Sequence, residues 1–238
     1  MASRSYGQYC GVTTAVELIG ERWALLIVRD LLVGPRRYTD LKQGLPRIPT
    51  NILSTRLKEL QESGVVRRVP LMHCGLVYEL TDYGRMLEPI VLALGRWGFQ
   101  AMGDPGADDV VTADSLTMAL RTAFQPDVAA ALPTLHCEVH VGDVVLRVLV
   151  DDGVLRIWQL APAGRPVDPR DAAPRPVAEP ELVFAAGPGI RRLISGELTP
   201  GAAIDSGVLH VVSGDATLLD RFADLFHIDE SLTPSLAA

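Results

Sequence analysis

The chain has 238 residues, is 48% hydrophobic and 21% charged, and carries a formal net charge of −7. This length can build two modest cores or one large one, and the absence of an apolar run of about 18 residues and of a signal-peptide core argues against a membrane span and favours a cytoplasmic location. Three widely spaced cysteines exclude a disulfide framework and a close-spaced zinc site.

The two halves of the chain differ in charge. Residues 1–102 carry 13 Lys+Arg and 9 Asp+Glu, whereas residues 103–238 carry 9 and 20, so the balances are +4 and −11. Such asymmetry indicates two modules with different partners. A basic surface can bind phosphates and an acidic surface repels them, so we expect the acidic half to face away from nucleic acid.

A helix-turn-helix is predicted early in the chain. Apolar residues recur at helical spacing over residues 15–19 and 23–32. Thr39 is the expected N-cap of a short helix, and after a turn bracketed by prolines a second helix opens at residue 49 or 50. The predicted buried stripe of this second helix consists of Leu53, Leu57 and Leu60.

A β-hairpin follows the second helix. Gly64 ends the helix, and strands are predicted over residues 65–71 and 76–80, joined at residues 73–75. Residues 39–80 therefore have the order of a winged helix-turn-helix, which predicts a DNA-binding module.

An unusually apolar helix is predicted after the hairpin, with Thr81 as its N-cap. Its apolar residues form two adjacent faces, more than one small domain needs for its core. Core packing is the simpler interpretation, but the second face favours a dimer interface. The residues of that predicted interface are Met86, Ile90, Leu94 and Trp97.

The second half predicts an α+β domain whose sheet is mainly antiparallel. A Gly/Pro/Asp-rich boundary at residues 103–109 precedes a helix over residues 115–124. A two-residue turn at Asp152–Gly153 pairs Val150 with Leu155 and Val148 with Ile157. Further strands are predicted at residues 135–141, 144–151, 154–160, 182–186 and 208–212, with helices at 190–195 and 216–226.

These boundaries divide the chain into four parts. The predicted limits are a DNA-binding and dimerisation domain over residues 1–103, a linker over 104–112, an α+β domain over 113–230 with a Pro-rich loop over 161–180, and a flexible tail over 231–238.

The first half resembles the HxlR family of winged-helix regulators, relatives of the MarR group. The resemblance implies a homodimer that binds operator DNA and pairs its N- and C-terminal helices. Gly11 departs from the family pattern, which usually has proline after the cysteine. The matching segments are Cys10-Gly-Val, Ile19-Gly-Glu-Arg-Trp23, Ile27-Val-Arg-Asp-Leu31, Gly34-Pro-Arg-Arg-Tyr38, Asp40-Leu41, Leu53-Ser-Thr-Arg-Leu-Lys-Glu-Leu60, Gly64-Val-Val and Tyr78-Glu-Leu-Thr81.

The second half, over residues 113–228, resembles a sterol-carrier-protein-type domain. That likeness implies a five-stranded sheet with helices and a hydrophobic tunnel for an apolar small-molecule ligand. The Pro-rich loop enlarges the usual strand connection. The matching segments are Leu193-Ile-Ser-Gly-Glu-Leu-Thr-Pro200, Ala203-Ile204, Gly207 and Gly214-Asp-Ala-Thr-Leu-Leu-Asp-Arg-Phe222.

The second helix of the motif has the chemistry of a major-groove reader. Hydroxyl and amide groups at its N-terminal half can bond base edges, and cations around it can hold phosphates. A solvated helix face is the simpler interpretation, but motif order and charge split together favour DNA binding. The predicted DNA-binding residues are Arg36, Arg37, Lys42, Arg47, Thr50, Asn51, Ser54, Thr55, Lys58 and, in the wing, Arg67, Arg68 and His73.

Cys10 is a candidate redox sensor. In some members of the HxlR family a cysteine at the matching position senses oxidants or electrophiles. A cysteine reacts when it is exposed and its pKa is lowered. The alternative is a small buried residue at the dimer interface.

His136, Glu138 and His140 share one face of a predicted strand, as three zinc ligands could. An outward polar strand face gives the same pattern, so we expect neither a metal nor a cofactor. The chain lacks the motifs GxSxG, HExxH and a Gly-rich phosphate loop, which argues against an enzyme.

Three functions are compatible with these patterns. The leading hypothesis is a dimeric, sequence-specific transcriptional regulator, expected to be a repressor, whose second domain binds an apolar ligand or supports dimerisation. A second hypothesis makes Cys10 the input of a redox-sensing regulator. A third is a lipid-binding or lipid-acting protein whose winged helix mediates protein contacts, against which the basic first half argues.

Overall fold

The computed structural model describes residues 5–71, 75–106, 108–160 and 178–229. It forms two compact units, the first ending at Val91 and the second beginning at Leu92. The division falls inside one helix, and the domain limits drawn from the sequence remain a prediction. The predicted tail over residues 231–238 and most of the predicted Pro-rich loop lie outside the described residues.

The first unit begins with four helices. The junction between the first two needs glycine at position 20, where an added Cβ would lie 2.5 Å from the carbonyl oxygen of Val16. Trp23 then enters the second helix with a left-handed backbone (φ 80°). The helices are α1 (Gly11–Ile19), α2 (Ala24–Val33), α3 (Tyr38–Gly44) and α4 (Thr50–Glu62).

The hairpin of the first unit pairs β1 (Val66–Leu71) with β2 (Gly75–Leu80) in antiparallel register. Arg36 extends this sheet, because its N–H donates to the Tyr78 carbonyl (2.9 Å) and its own carbonyl accepts from the Tyr78 N–H (2.8 Å). Helix α2 packs against β2 and α4 packs against β1. The winged helix-turn-helix order predicted from the sequence is thus confirmed.

The prediction of a single helix after Thr81 is wrong, because the structure has two helices there. Thr81 caps the short α5 (Asp82–Arg85), its Oγ1 accepting from the Gly84 N–H at 3.0 Å. Helix α6 (Glu88–Phe99) starts separately. Pro89 lacks an N–H and fits only the first turn of a helix, so a new helix has to begin beside it.

The second unit joins the end of α6 to an α+β fold. Its sheet has the order β5-β4-β3-β6-β7, and only the pair β3–β6 is parallel. The elements are α7 (Ala113–Ala123), α8 (Pro126–Ala129), β3 (Leu135–Val141), β4 (Val144–Asp151), β5 (Val154–Gln159), β6 (Leu182–Ala186), a 3₁₀ turn (Pro188–Ile190), α9 (Arg191–Ile194), α10 (Pro200–Asp205), β7 (Leu209–Gly214) and α11 (Leu218–Leu225).

The predicted register of the β4–β5 hairpin is confirmed. Val150 lies opposite Leu155 and Val148 opposite Ile157. The turn works because Asp152 (φ 48°) and Gly153 (φ 73°) are both left-handed, as a type I′ turn requires. Helices α8 and α10 were not predicted, because four and six residues are too short for a helical period to show.

The core of the second unit is aromatic. Phe184 of β6 and Phe222 of α11 have ring centroids 5.0 Å apart, and Phe226 lies 4.7 Å from Phe222. All three side chains are completely buried. In residues 5–71, 75–106, 108–160 and 178–229 no helix combines the length and the apolar character that crossing a membrane requires.

Candidate DNA-binding surface

The two helices of the helix-turn-helix are held together by hydrogen bonds from side chains to backbone carbonyls. Lys42 Nζ donates to the carbonyls of Ile48 (2.7 Å) and Pro46 (3.3 Å), which fixes the turn. The Tyr38 hydroxyl donates to the Thr50 carbonyl (2.9 Å) and lies 3.2 Å from Ser54 Oγ. These bonds set the position of the first turn of α4.

The prediction of Thr39 as the N-cap of α3 is wrong, because the structure has Arg37 at that position. The helix begins at Tyr38, and the carboxylate of Asp40 accepts from the Arg37 N–H at 2.8 Å. Thr39 is therefore inside the helix. An Asp three residues into a helix satisfies an N–H that has no partner within the helix, and here it replaces the threonine cap.

Helix α4 presents a polar face opposite its buried one. Leu53, Leu57 and Leu60 are buried, as the predicted stripe requires. The N-terminal half of the helix exposes three polar side chains and half-buries a fourth. These are Thr50, Asn51 and Ser54, which are exposed, and Thr55.

The hydroxyls of this face are oriented by the helix itself. Ser54 Oγ donates to the Thr50 carbonyl (3.1 Å) and Thr55 Oγ1 to the Asn51 carbonyl (2.9 Å). Their proton is thus committed, and an oxygen lone pair remains to accept from a base-edge amine.

Cations surround this helix. Arg47 is exposed in the turn before it, Arg37 is half-buried, and Lys58 is 66% exposed, with its Nζ 3.7 Å from Glu62. In the wing, Arg67 and Arg68 are exposed; Arg67 Nη2 lies 2.6 Å from Glu79, and the Arg68 guanidinium lies 5.7 Å from the Tyr78 ring centroid. His73 lies outside the described residues.

Two residues predicted to contact phosphates, Arg36 and Lys42, instead bond backbone carbonyls of the first unit. Arg36 is 3% exposed, and its Nη1 donates to the Pro35 carbonyl at 2.9 Å. Its backbone pairing with Tyr78 draws the side chain into the unit. The Lys42 amine is satisfied by the carbonyls of the turn. We therefore leave both out of the surface proposed below.

Sequence reasoning missed two residues that shape the motif. Tyr38 bonds α3 to α4, and Arg56 joins Glu59 and Glu21, lying 3.4 Å from Glu21. Arg56 and Glu59 are three residues apart, as helical ion pairs often are, but Glu21 lies far from Arg56 in the chain. No local pattern marks either bond, because each joins residues distant in the chain.

Cys10 lies at the N-cap of α1 and is exposed. The backbone N–H groups of Thr13 and Val12, at the start of α1, lower the pKa of the thiol. Cys137 is the opposite case, since complete burial raises the pKa of its thiol. Cys74 lies outside the described residues.

The His136–His140 strand carries an ion network. Glu138 Oε1 lies 2.8 Å from His140 Nε2, and Glu138 Oε2 accepts from Arg147 Nη2 at 2.8 Å. Both carboxylate oxygens are thus occupied by side chains of this face. Among the described residues no group of three or more His, Cys, Asp or Glu side chains could hold a metal ion.

The helix predicted to form a dimer is exposed on its apolar side. Neither α1 nor α6 has a buried residue in a single copy of the chain. Trp97 is 74% exposed and Met86 68%, unusual for such large apolar side chains. Ile90 and Leu94 of α6 are also exposed, as are Tyr9, Val12 and Val16 in or next to α1.

The arrangement of α2, α3, α4 and the β1–β2 wing defines a winged helix-turn-helix domain. Residues 18–105 match the model of the HxlR-like helix-turn-helix family. The uncharacterised HTH-type transcriptional regulator YvaP of Bacillus subtilis strain 168 is 40% identical over 85 residues, 35% of this chain and 79% of that protein. The chain belongs to the HxlR-like helix-turn-helix family, and it is a DNA-binding transcription regulator.

Two other relatives match the same part of the chain. The uncharacterised HTH-type transcriptional regulator YdeP of B. subtilis strain 168 is 32% identical over 91 residues, 37% of this chain and 71% of that protein. The reduced form of the B. subtilis transcriptional regulator YodB is 31% identical and covers 41% of this chain and 100% of its own, with a TM-score of 0.36. Helix-turn-helix regulators bind DNA and typically dimerise.

Proposed function

We propose that two copies of this chain bind a specific operator as a homodimer and repress the genes beside it in the cytoplasm. The exposed polar start of α4, fixed by Tyr38 and Lys42, is the observation that carries the proposal. Thr50, Asn51 and Ser54 read base edges in the major groove. Repression follows from occupancy, because a dimer seated in two successive grooves blocks access to a promoter.

The remaining contacts are to phosphates. In this proposal Arg37, Arg47 and Lys58 flank the recognition helix, Arg68 contacts the backbone from the wing, and the half-exposed Arg67 contacts a phosphate while it stays paired with Glu79. The tip residue His73 is assigned to the wing by its place in the sequence. Each phosphate contact releases counterions, so operator affinity should fall steeply with salt.

Operator binding is tested with an electrophoretic shift on double-stranded DNA from upstream of the protein's own coding sequence. We expect sequence-selective binding, and Asn51→Ala should weaken it by about tenfold or more, the cost of one lost bidentate base contact. Asn51→Ala should leave binding to unrelated DNA unchanged. If wild-type protein binds operator and unrelated DNA equally at every salt concentration, the proposal fails.

The dimer is proposed from the exposed apolar residues of α1 and α6. Burying side chains such as Trp97 and Leu94 against a second copy removes a large apolar area from water. Leu94→Glu places a charge in that area and should yield monomers in analytical ultracentrifugation. Ile204→Glu, at an exposed apolar position of the second unit, is the control for the added charge and should stay dimeric.

We further propose that the second unit is a sterol-carrier-like domain. Its five-stranded sheet and helices agree with that likeness. Of the two roles considered for it, support of the dimer is favoured by Leu94 and Trp97, which lie in this unit and are exposed. An apolar ligand would instead lie against buried side chains such as Phe184, Phe222 or Phe226. Protein purified without lipid and then tested with a fluorescent fatty acid distinguishes the roles.

A second candidate input is Cys10. Its exposure and the backbone N–H groups that lower its pKa favour a reactive thiolate. The thiolate sulfur would attack one oxygen of hydrogen peroxide, breaking the O–O bond, which gives a sulfenic acid and releases hydroxide. Operator affinity should then change on oxidation and recover with a thiol reductant. Cys10→Ser should abolish the change, and an unchanged response in that variant excludes Cys10 as the sensor.

A further inference from the structure

Helix α6 has two different faces in its C-terminal half, which belongs to the second unit. One face exposes Leu94 and Trp97. Gly95 and Phe99 lie on the other side. Gly95 follows Leu94 by one residue and Phe99 follows it by five, which places them about 100° and 140° around the helix from Leu94. Phe99 packs against the core of the second unit.

Gly95 is where α6 meets α7. A Cβ at position 95 would lie 2.9 Å from both Cγ2 and Oγ1 of Thr122. Thr122 cannot turn away easily, because it is β-branched, 6% exposed, and its Oγ1 donates to the Met118 carbonyl at 2.7 Å. The close approach of the two helices therefore requires glycine at this position.

Two further contacts hold the end of α6. The Arg191 guanidinium of α9 lies 5.8 Å from the Phe99 ring centroid. Just beyond the helix, Gln100 Nε2 donates to the Asp229 carbonyl at 2.7 Å. The contacts come from three separate segments of the second unit, so the end of α6 is fixed in position and in rotation about its axis.

We propose that Gly95 is a positioning residue: the absence of a Cβ there lets α6 pack closely on Thr122, which sets the rotation of α6 and so the apolar face that it offers to a second copy. This rests on the proposed dimer. Leu94 and Trp97 lie in the second unit on the same stretch of α6 as Gly95, so their direction follows the rotation that the contact at Gly95 sets. The second unit thereby controls dimerisation, and DNA binding through it.

The test uses the full-length chain and four variants: Gly95→Ala, Gly98→Ala, Thr122→Ala and the double variant Gly95→Ala/Thr122→Ala. Gly98 is the matched control, because it lies on the same helix and an added Cβ would have no atom within 4 Å. The double variant removes both atoms that the new Cβ would strike and leaves Thr122 Cβ at an ordinary 3.5 Å.

Dimer dissociation is measured by analytical ultracentrifugation, and affinity by a shift assay on DNA from upstream of the protein's coding sequence. Gly95→Ala should weaken both about tenfold, as an overpacked contact does. Gly98→Ala and Thr122→Ala should match the wild type, and the double variant should recover to within about twofold. Circular dichroism confirms that each variant is folded.

Three results overturn the proposal. Gly95→Ala could dimerise as the wild type does, the double variant could fail to recover, or Gly95→Ala could lower the unfolding temperature while dimerisation and DNA affinity stay unchanged. Failure of the proposed function is a separate result: the wild type itself would then be monomeric or show no preference for the DNA fragment.

Discussion

The wing of the first unit and the sheet of the second each place an arginine directly opposite a glutamate on antiparallel strands. Arg67 faces Glu79 at 2.6 Å, and Arg147 faces Glu138 at 2.8 Å. The side chain of Arg67 is 50% exposed, whereas those of Arg147 and Glu138 are 19% and 14% exposed. Although Glu79 is only 8% exposed, the guanidinium of Arg67 reaches solvent and can contact a phosphate while it stays paired, whereas that of Arg147 is enclosed.

The difference shows that exposure and surrounding charge decide what a cross-strand ion pair does. In the wing, Arg68 adds a second exposed cation, which suits a phosphate backbone. In the second sheet, His140 takes the other oxygen of Glu138 and closes the network. The first pair belongs to the surface proposed to bind DNA, and the second joins two strands of a sheet.

The largest effect on stability is expected from removing Arg147, the less exposed of the two paired arginines. Arg147→Ala leaves the mostly buried Glu138 without its main partner, which should destabilise the protein by about 3 kcal/mol. Chemical denaturation measures this loss. Arg156→Ala, on the same face of the sheet, is the control and should cost less than about 1 kcal/mol. Similar losses for the two variants would show that the Glu138 network has no special role.

Arg68, the second exposed arginine of the wing, should show the reverse pattern: a large effect on DNA binding and a small effect on stability. Arg68→Ala should weaken operator binding by about tenfold and lower the slope of log affinity against log salt by about 0.9, one phosphate contact. Its stability should change by less than about 0.5 kcal/mol. Titrations at several salt concentrations measure both quantities. An unchanged salt slope would place Arg68 away from the DNA.

The pH dependence of stability should show what the Arg147–Glu138 pair contributes to the free energy of unfolding. Burial raises the pKa of Glu138, but the hydrogen bonds from Arg147 and His140 outweigh it, and its pKa is lowered from the ordinary 4.5. A carboxyl with a lower pKa when folded stabilises the protein above its unfolded pKa, and that contribution is lost as the pH falls through the folded pKa.

Glu138→Gln should therefore flatten the loss of stability on acidification below pH 4.5. The effect should be smaller than that of Arg147→Ala, because the glutamine carbonyl can still accept from Arg147 and its NH2 can donate to a neutral His140 Nε2. Denaturation curves recorded over a pH series give the comparison. Equal acid sensitivity in wild type and variant would mean that Glu138 does not carry the pH response.

The smallest effect is expected at Lys58. Its pair with Glu62 spans 3.7 Å and both side chains are more than 60% exposed, so Lys58→Ala should change stability by only about 0.3–0.5 kcal/mol. Operator affinity should fall about threefold through a lost phosphate contact. Lys58→Arg, which keeps the charge, should bind as the wild type does. A larger loss of stability than of DNA affinity would reverse the assignment.

Local patterns predicted a good part of the fold. The stripe Leu53, Leu57 and Leu60 is buried because helical spacing alone places these side chains on one side. The β4–β5 register followed from a two-residue turn, which leaves one pairing possible. The split between α5 and α6 could have been predicted from Pro89, since proline belongs in the first turn of a helix.

The candidate site was predictable in outline but not residue by residue. Exposed polar residues at the start of α4 follow from the same helical period that buries its leucines. The burial of Arg36 does not, because it depends on backbone pairing with Tyr78 across more than 40 residues of chain. Lys42 is similar: composition marks it as a phosphate contact, and only the shape of the turn commits its amine to carbonyls.

The sequence by itself determined the order of the elements, the family and the chemistry of the recognition helix, because periodicity, caps and turns act over a few residues. Tertiary structure decided which cations remain exposed and where α6 is anchored. The fit of Gly95 against Thr122 joins residues of two different helices, and a distance of 2.9 Å exists only once both are packed. Close packing of this kind depends on the whole unit, which no local pattern in the chain encodes.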